Sequence, residues 1–296
     1  MRDSFRGYAL GATLYMPVIH PKMEDFLFGR MSAPASSIVL CLEDALHDYD
    51  VRRGVDQVRT LCQAGPFSCA AQVYIRPRSL DMARTLAGFR NIRKFDGFVA
   101  PKVMPDTAAA WLDITRGAGL FLMPTLESAI YFDPSQVAAV RDALARHDCG
   151  RISAIRLGGN DLLGALGLRR QRGVTSWEGP LGWVLSMMSS MFISAGYPVA
   201  APVFDIIDDA DTLKREAERD AASGFVSKTA IHPEQVRIIE DAFRVSSEDL
   251  RQASAILDSD AKAVFRTGGT MCEPSTHRAW ATRTVARAEA FGQKRS

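Results

Sequence analysis

A Glu-Asp pair, an arginine, a lysine and two further carboxylates recur along this chain as Glu43-Asp44, Arg76, Lys102, Glu127 and Asp161. Each closes an apolar run or follows one directly. Glu127 and Asp161 stand after consecutive runs, with no His or Cys beside them. Two such carboxylates suit a hard cation such as Mg²⁺, which is held by one or two carboxylates and completes its octahedron with water and substrate oxygens. Arg76 offers a planar fork that can hold a substrate carboxylate by two bonds. A cation and an arginine at one carbonyl are what an enolate needs, because both stabilise the negative oxygen that develops. Gly158 and Gly159 precede Asp161 and let backbone approach a ligand closely. Lys102 joins the substrate-binding candidates, and Glu43 and Asp44 are read as orienting water or Arg76. Taken singly, these residues carry plainer readings. Asp161 reads as a helix N-cap, Glu127 and Lys102 as solvated, and Arg76 as a structural ion-pair partner. His232, before a proline, reads as a cap, and His47 as exposed.

The elements that would position these groups alternate. Short apolar runs, each followed by an amphipathic stretch, are expected as strands at Tyr8–Met16, Ser37–Glu43, Gln72–Pro77 and Gly97–Lys102. Four more follow at Gly119–Glu127, Ile152–Gly158, Tyr197–Phe204 and Gly224–Ile231. Their nearly continuous apolar character is that of parallel strands buried on both faces. Asp133-Pro134 opens one intervening helix as N-cap and first residue, and Gly224 stops another. Eight strand–helix units predict a (β/α)8 TIM barrel with a C-terminal helical extension. The rival doubly wound sheet lacks support, since no G-x-G-x-x-G fingerprint occurs. In a barrel, catalytic groups stand at the C-terminal ends of strands, where all of these polar residues fall. The barrel is assigned to residues 1–245. The extension, 246–296, is expected to form helices over Glu248–Phe265 and Ser275–Phe291, packing on the barrel or on a neighbouring subunit.

The chain has 296 residues with 36 basic and 34 acidic side chains. That near balance, with no basic stripe interleaved with aromatics, gives no sign of a nucleic-acid partner. The long apolar run Leu181–Phe204 is broken by Gly196, Pro198 and Pro202, so it reads as buried helix, turn and strand rather than a membrane span. The N-terminal stretch shows no secretory core. Five cysteines without a Cys-x-x-Cys pair support neither a disulfide framework nor a zinc knuckle. A reducing, cytoplasmic setting is expected.

Several stretches resemble one family. "VLCLEDAL", "YIRP", "VAPKV", "MPTLESA", "LGGNDLLGALG" and "GFVSKTAIHPEQV" are similar, in order, to the motifs of the HpcH/HpaI aldolase and citrate lyase family, citrate lyase β-subunit-like group. The match runs from about Leu14 to Arg244, with a weaker echo in the tail. The resemblance implies a barrel holding Mg²⁺ through Glu127 and Asp161, with Arg76 on the substrate carboxylate. It implies C–C bond cleavage or formation in a 3-hydroxy acid, with coenzyme A as part of the substrate, through a metal-stabilised enolate. It further implies a homo-trimer or homo-hexamer in which the turn Thr267–Pro274 caps a neighbour's barrel mouth and supplies Glu273 as an acid/base group. The chain also resembles a divergent bacterial branch linked to tellurium-resistance gene clusters. It departs from the family at Pro77-Arg78, where Asn is usual, at Ser227, where Gly is usual, and at Glu273, where Asp is usual, in a tail motif one residue short before Pro274. These departures bear on acyl-CoA specificity. A coenzyme A thioester hydrolase or a Claisen-type synthase on the same site, or a non-catalytic carboxylate-binding barrel, are the alternatives.

Overall fold

The computed structural model describes residues 6–147 and 149–294. The reading of the N-terminal stretch therefore falls partly outside the described residues, at Met1–Phe5. The chain opens with a 3-10 turn, Arg6–Leu10, then β1 (Ala12–Pro17), α1 (Met23–Leu27), β2 (Ser37–Cys41), α2 (Val51–Gln63), β3 (Gln72–Arg76) and α3 (Leu80–Ala87). It continues through β4 (Gly97–Ala100), α4 (Ala108–Ala118), β5 (Phe121–Leu126), α5 (Pro134–Arg146), β6 (Ile155–Leu157), α6 (Gly159–Ala165) and α7 (Pro180–Ile193). The barrel ends with β7 (Val199–Ala201), α8 (Ala210–Ala222), β8 (Ser227–Ala230) and α9 (Pro233–Phe243). The tail holds α10 (Ser247–Leu257), β9 (Phe265–Thr267), β10 (Thr270–Cys272) and α11 (Pro274–Phe291).

Strands β1 to β8 pair in parallel in chain order, and β8 pairs back to β1 to close the barrel. Successive side chains on a strand point to opposite faces, which sorts the apolar runs into two cores. Outward residues such as Leu14, Ile38, Ile75, Phe98, Leu122 and Ile155 pack against the helices. Inward residues Val39, Tyr74, Val99, Met123, Ala154 and Ala200, with Leu10 beneath, fill the barrel itself. The interior is thus a packed plug rather than a pore. The next inward positions include the polar Arg76, Thr125 and Arg156, which line the mouth.

Capping fixes several helix starts as the sequence suggests. The Asp133 carboxylate accepts the Ser135 N–H at 2.8 Å, with Pro134 at the first turn of α5. His232 caps α9 through Nδ1, which accepts the Glu234 N–H at 3.3 Å. His47 is exposed. The run Leu181–Phe204 becomes α7, a left-handed Gly196 (φ 83°) and β7. Among the described residues no helix is long and apolar enough to cross a membrane.

Three expectations are corrected. The first strand starts at Ala12 rather than Tyr8, because the chain turns through a 3-10 segment and a left-handed Gly11 (φ 55°). The fourth strand stops at Ala100, and Lys102 takes a left-handed conformation (φ 47°) instead of extending it. The helix expected over Glu248–Phe265 ends at Leu257, where Asp258 turns extended and its Oδ1 accepts the Asp260 N–H at 2.9 Å. A hairpin follows, since Gly268 (φ 56°) and Gly269 (φ 79°) supply the two consecutive positive φ angles that a two-residue turn requires. The final helix, α11, packs on α10, α9 and the opening 3-10 turn. Its Arg287 donates to the Ala221 carbonyl at 3.2 Å, and Phe291 lies against Tyr8 and Phe243. These contacts sit at the N-terminal end of the barrel, opposite the mouth.

Candidate active site

Parallel pairing carries the polar strand ends to one rim. Arg76, the last residue of β3, sits in register with Cys41 of β2. Glu43 follows β2 by two residues, and Glu127 follows β5 directly. The Arg76 guanidinium bridges the two carboxylates. Its Nε donates to Glu43 Oε2, Nη2 donates to Glu127 Oε1 at 3.1 Å, and Nη1 reaches Thr125 Oγ1 at 3.4 Å. All three charged groups are buried. Asp44 stands exposed at the edge, 4.0 Å from Nη2. Arginine has five N–H donors, so Arg76 keeps donors for a ligand oxygen while its plane is fixed by protein.

Lys102 contributes in two ways. Its left-handed backbone aims its own N–H at Glu127 Oε1, at 2.8 Å. Its side chain is more than half exposed, with Nζ 3.6 Å from Glu43 Oε1. Gly158 is required by space: a Cβ there would lie 2.3 Å from Glu127 Cβ and 2.4 Å from Glu127 Oε2. A Cβ on Gly159 would lie 2.8 Å from Pro202 Cβ. The capping reading of Asp161 does not hold. Gly158 is the N-cap of α6, without a side-chain bond, and Asp161 lies in the first helical turn. Its half-buried carboxylate has no hydrogen-bond or ion-pair partner among the described residues and lines the mouth.

Arg76, Asp44, Glu127, Gly158, Gly159 and Asp161 line one cavity of about 430 Å³ at the barrel mouth, with Tyr15, Thr125, Arg156 and Asp205 among its other walls. Glu43 and Lys102 support it from behind. Glu273 does not line it: it precedes α11, its Oε2 accepts the Thr276 hydroxyl at 3.0 Å, and no bond joins it to the mouth of its own barrel.

Burial pushes the Glu127 carboxyl up, against the opposing pull of Arg76, and nearby Asp161 pushes it further. Burial raises Glu43 likewise, with Arg76 again opposing. Burial works against the Arg76 cation, but Glu127, Tyr15 and Glu43 outweigh it and raise its pKa. Lys102 is also raised, as Glu43 and Asp161 overcome its desolvation. The pattern is a cluster of opposite charges with acid in excess: the two cations are held charged, while burial makes protons harder to remove from Glu43 and Glu127. Among the described residues no group of three His, Cys, Asp or Glu side chains converges on a point. The pair Glu127 and Asp161 fits a cation that keeps several waters, which is how Mg²⁺ binds. The missing side chain at Gly158 is what lets the Glu127 carboxylate take its place at the mouth.

Two features received no role in the reading of the sequence, although Asp205 and Lys228 stand there as polar residues near strand ends. One is Arg156, an arginine inside the strand run "ISAIRLG". Its signal was present: a charged residue at an inward position between Ala154 and Gly158. The other is a buried ion network behind the rim. Lys228 Nζ donates to Glu216 Oε1 at 2.8 Å and to Asp220 Oδ2 at 2.7 Å, and Arg170 bridges Glu216 Oε2 at 2.7 Å and Asp205 Oδ1 at 3.2 Å. It pins the segment between α6 and α7 to the strand ends.

A family model for C–C bond lyases of the TIM-barrel fold matches residues 4–293. The chain belongs to this family. Among its relatives, a (3S)-malyl-CoA thioesterase of Cereibacter sphaeroides is 25% identical over 291 residues, covering 95% of each chain. An L-malyl-CoA/β-methylmalyl-CoA lyase of the same species is 28% identical over 281 residues, covering 84% of this chain and 85% of the relative. The CitE protein of Mycobacterium tuberculosis, solved with magnesium, acetoacetate and coenzyme A, superimposes with a TM-score of 0.70 at 22% identity, over 95% of this chain and 99% of that one. The citrate lyase β subunit of that organism, complexed with oxaloacetate and magnesium, gives a TM-score of 0.60 at 21% identity, over 81% and 99%. The C–C bond lyase family and the barrel expected from sequence are both borne out.

Proposed function

We propose that this lyase cleaves or forms a C–C bond in a 3-hydroxy acid or its coenzyme A thioester, with Glu127 and Asp161 holding Mg²⁺. The observation that carries this is Arg76, clamped between Glu43 and Glu127 in a cavity that also presents the unpaired Asp161. The bound cation supplies Lewis-acid polarisation of the substrate carbonyl. Arg76 aims its remaining N–H groups at the oxygen where charge develops, in a site that cannot reorient them. In the cleavage direction the C2–C3 bond breaks, its electron pair becomes the enolate, and the C3 hydroxyl loses its proton to become a carbonyl. Glu43 keeps the Arg76 plane in place, and Lys102 fixes Glu127 through its backbone. Glu273 of a neighbouring subunit in a homo-trimer or homo-hexamer is the proposed acid/base group, taking the proton from the C3 hydroxyl as carboxylate and delivering it to C2 as carboxylic acid. Residues 1–245 serve as the lyase unit and 246–296 as the extension that brings Glu273. The free thiols of Cys41, Cys62, Cys69 and Cys272 fit a cytoplasmic setting.

A second reading, thioester hydrolysis on the same site, is favoured by the thioesterase relative that matches along nearly the whole chain. One assay separates the two. With malyl-CoA and Mg²⁺, a lyase releases acetyl-CoA and glyoxylate, whereas a hydrolase releases free malate and coenzyme A thiol. Arg76→Met should abolish either reaction. Turnover that survives EDTA treatment and Asp161→Asn unchanged would overturn the assignment of the site.

A further inference from the structure

Arg156 is 2% exposed, yet it lines the mouth cavity. Its strand register, Thr125 to Arg156 on one side and Arg156 to Ala200 on the other, sets it in the inward layer just above the apolar plug. That is two residues below the level of Glu127 on the neighbouring strand, roughly 7 Å at the usual rise. Everything it touches is uncharged. Nη2 donates to Thr229 Oγ1, Nη1 reaches Thr13 Oγ1 at 3.4 Å and Met123 Sδ at 3.5 Å, and the guanidinium lies 5.3 Å from the centre of the Tyr15 ring. No carboxylate stands within ion-pair distance of it among the described residues. Arg76, in the same cavity, is held by Glu43 and Glu127.

A buried charge is costly unless an opposite charge meets it. Burial lowers the pKa of Arg156, but a guanidinium stays charged in proteins. The missing counter-charge must therefore come from what enters the cavity, whose floor is this guanidinium. The planar fork of arginine matches a carboxylate better than a point charge would. The depth of Arg156 below Glu127 and Asp161 corresponds to a chain of a few carbons between the two ends of a ligand. We propose that Arg156 binds a second carboxylate of the substrate at the cavity floor, so that the site selects 3-hydroxy acids whose far end is a carboxylate rather than a methyl group. This rests on the reading of the mouth as the site for a 3-hydroxy acid.

The test uses malate and 3-hydroxybutyrate, which share the 3-hydroxy acid end and differ by carboxylate against methyl. Affinities are measured by calorimetry on the full chain with saturating Mg²⁺, for both enantiomers of each acid. The wild type is expected to bind one enantiomer of malate at least about tenfold tighter than 3-hydroxybutyrate. Arg156→Gln, which keeps a hydrogen-bonding head without the charge, should bring the two acids to within about twofold. It should leave 3-hydroxybutyrate affinity near the wild-type value. Arg156→Lys should restore part of the preference. Equal binding of the two acids by the wild type, or a preference that survives Arg156→Gln, overturns the proposal while leaving the site itself in place. Loss of both acids together in a folded Arg156→Gln shows a structural role and overturns it too. If the wild type binds neither acid, the reading of the mouth fails, and the role of Arg156 falls with it.

Discussion

Glu127 is the residue on which most of the proposed chemistry converges, and its surroundings give two predictions. Mg²⁺ stabilises the form that binds it by mass action, about 2.7 kcal/mol at one hundred times its dissociation constant. Asp161→Asn and Glu127→Gln should therefore stay folded but lose the Mg²⁺-induced rise in melting temperature, and Gly158→Ala should lose it as well, because its Cβ displaces Glu127. A full rise in all three variants would remove the metal assignment. The pH dependence follows from the raised carboxyl. Its folded-state pKa lies above the ordinary 4.5, so the native protein keeps a proton that the unfolded chain has already released. Metal-free stability gains from this below 4.5 and loses it as pH rises through the folded value. Mg²⁺ needs the deprotonated form, so its stabilising effect should start to fade on acidification at a pH above the ordinary 4.5, as melting curves with and without Mg²⁺ over a falling pH series would show. Arg76→Lys keeps the charge but not the fork, and should weaken binding of a 2-keto acid such as pyruvate by about 1–3 kcal/mol in calorimetry.

At the scale of elements, the buried network behind the rim gives a stability prediction. Lys228, Glu216 and Asp220 are all fully buried. Lys228→Met leaves two carboxylates facing each other with only Arg170 to compensate, and breaking such a pair costs about 3–5 kcal/mol. Urea unfolding should show that loss, and adding Asp220→Leu should recover part of it. An unchanged midpoint would mean that the network is not sharing charge as its distances imply. The sequence made the barrel strands legible because burial on both faces writes them as unbroken apolar runs. It also made the rim legible, since Glu43, Arg76, Glu127 and Asp161 each end such a run. What stayed hidden was set by tertiary geometry. Lys102 acts through its backbone N–H, which no side-chain pattern reveals. The hairpin β9–β10 was signalled by Gly268-Gly269, but the helical spacing upstream masked where α10 ends. Arg156 was readable as an oddity in an apolar run, but only the register shows that it points inward.

For the whole molecule, the question is what the tail does. Helix α11 is anchored at the N-terminal end of the barrel, while Glu273 at its start reaches no part of its own mouth. If Glu273 serves a neighbour, Glu273→Gln and Asp161→Asn proteins mixed and refolded together should be more active than either alone. No gain, with subunit exchange confirmed by mass spectrometry, would exclude action across the interface.

Glu127 and Gly158 share one volume: the carboxylate occupies the space in which a side chain at position 158 would have to grow. The two positions therefore form a single inherited character. A lineage that enlarges position 158 must first shorten or relocate its neighbour. Wherever that glycine has been replaced in a descendant, position 127 should have changed with it.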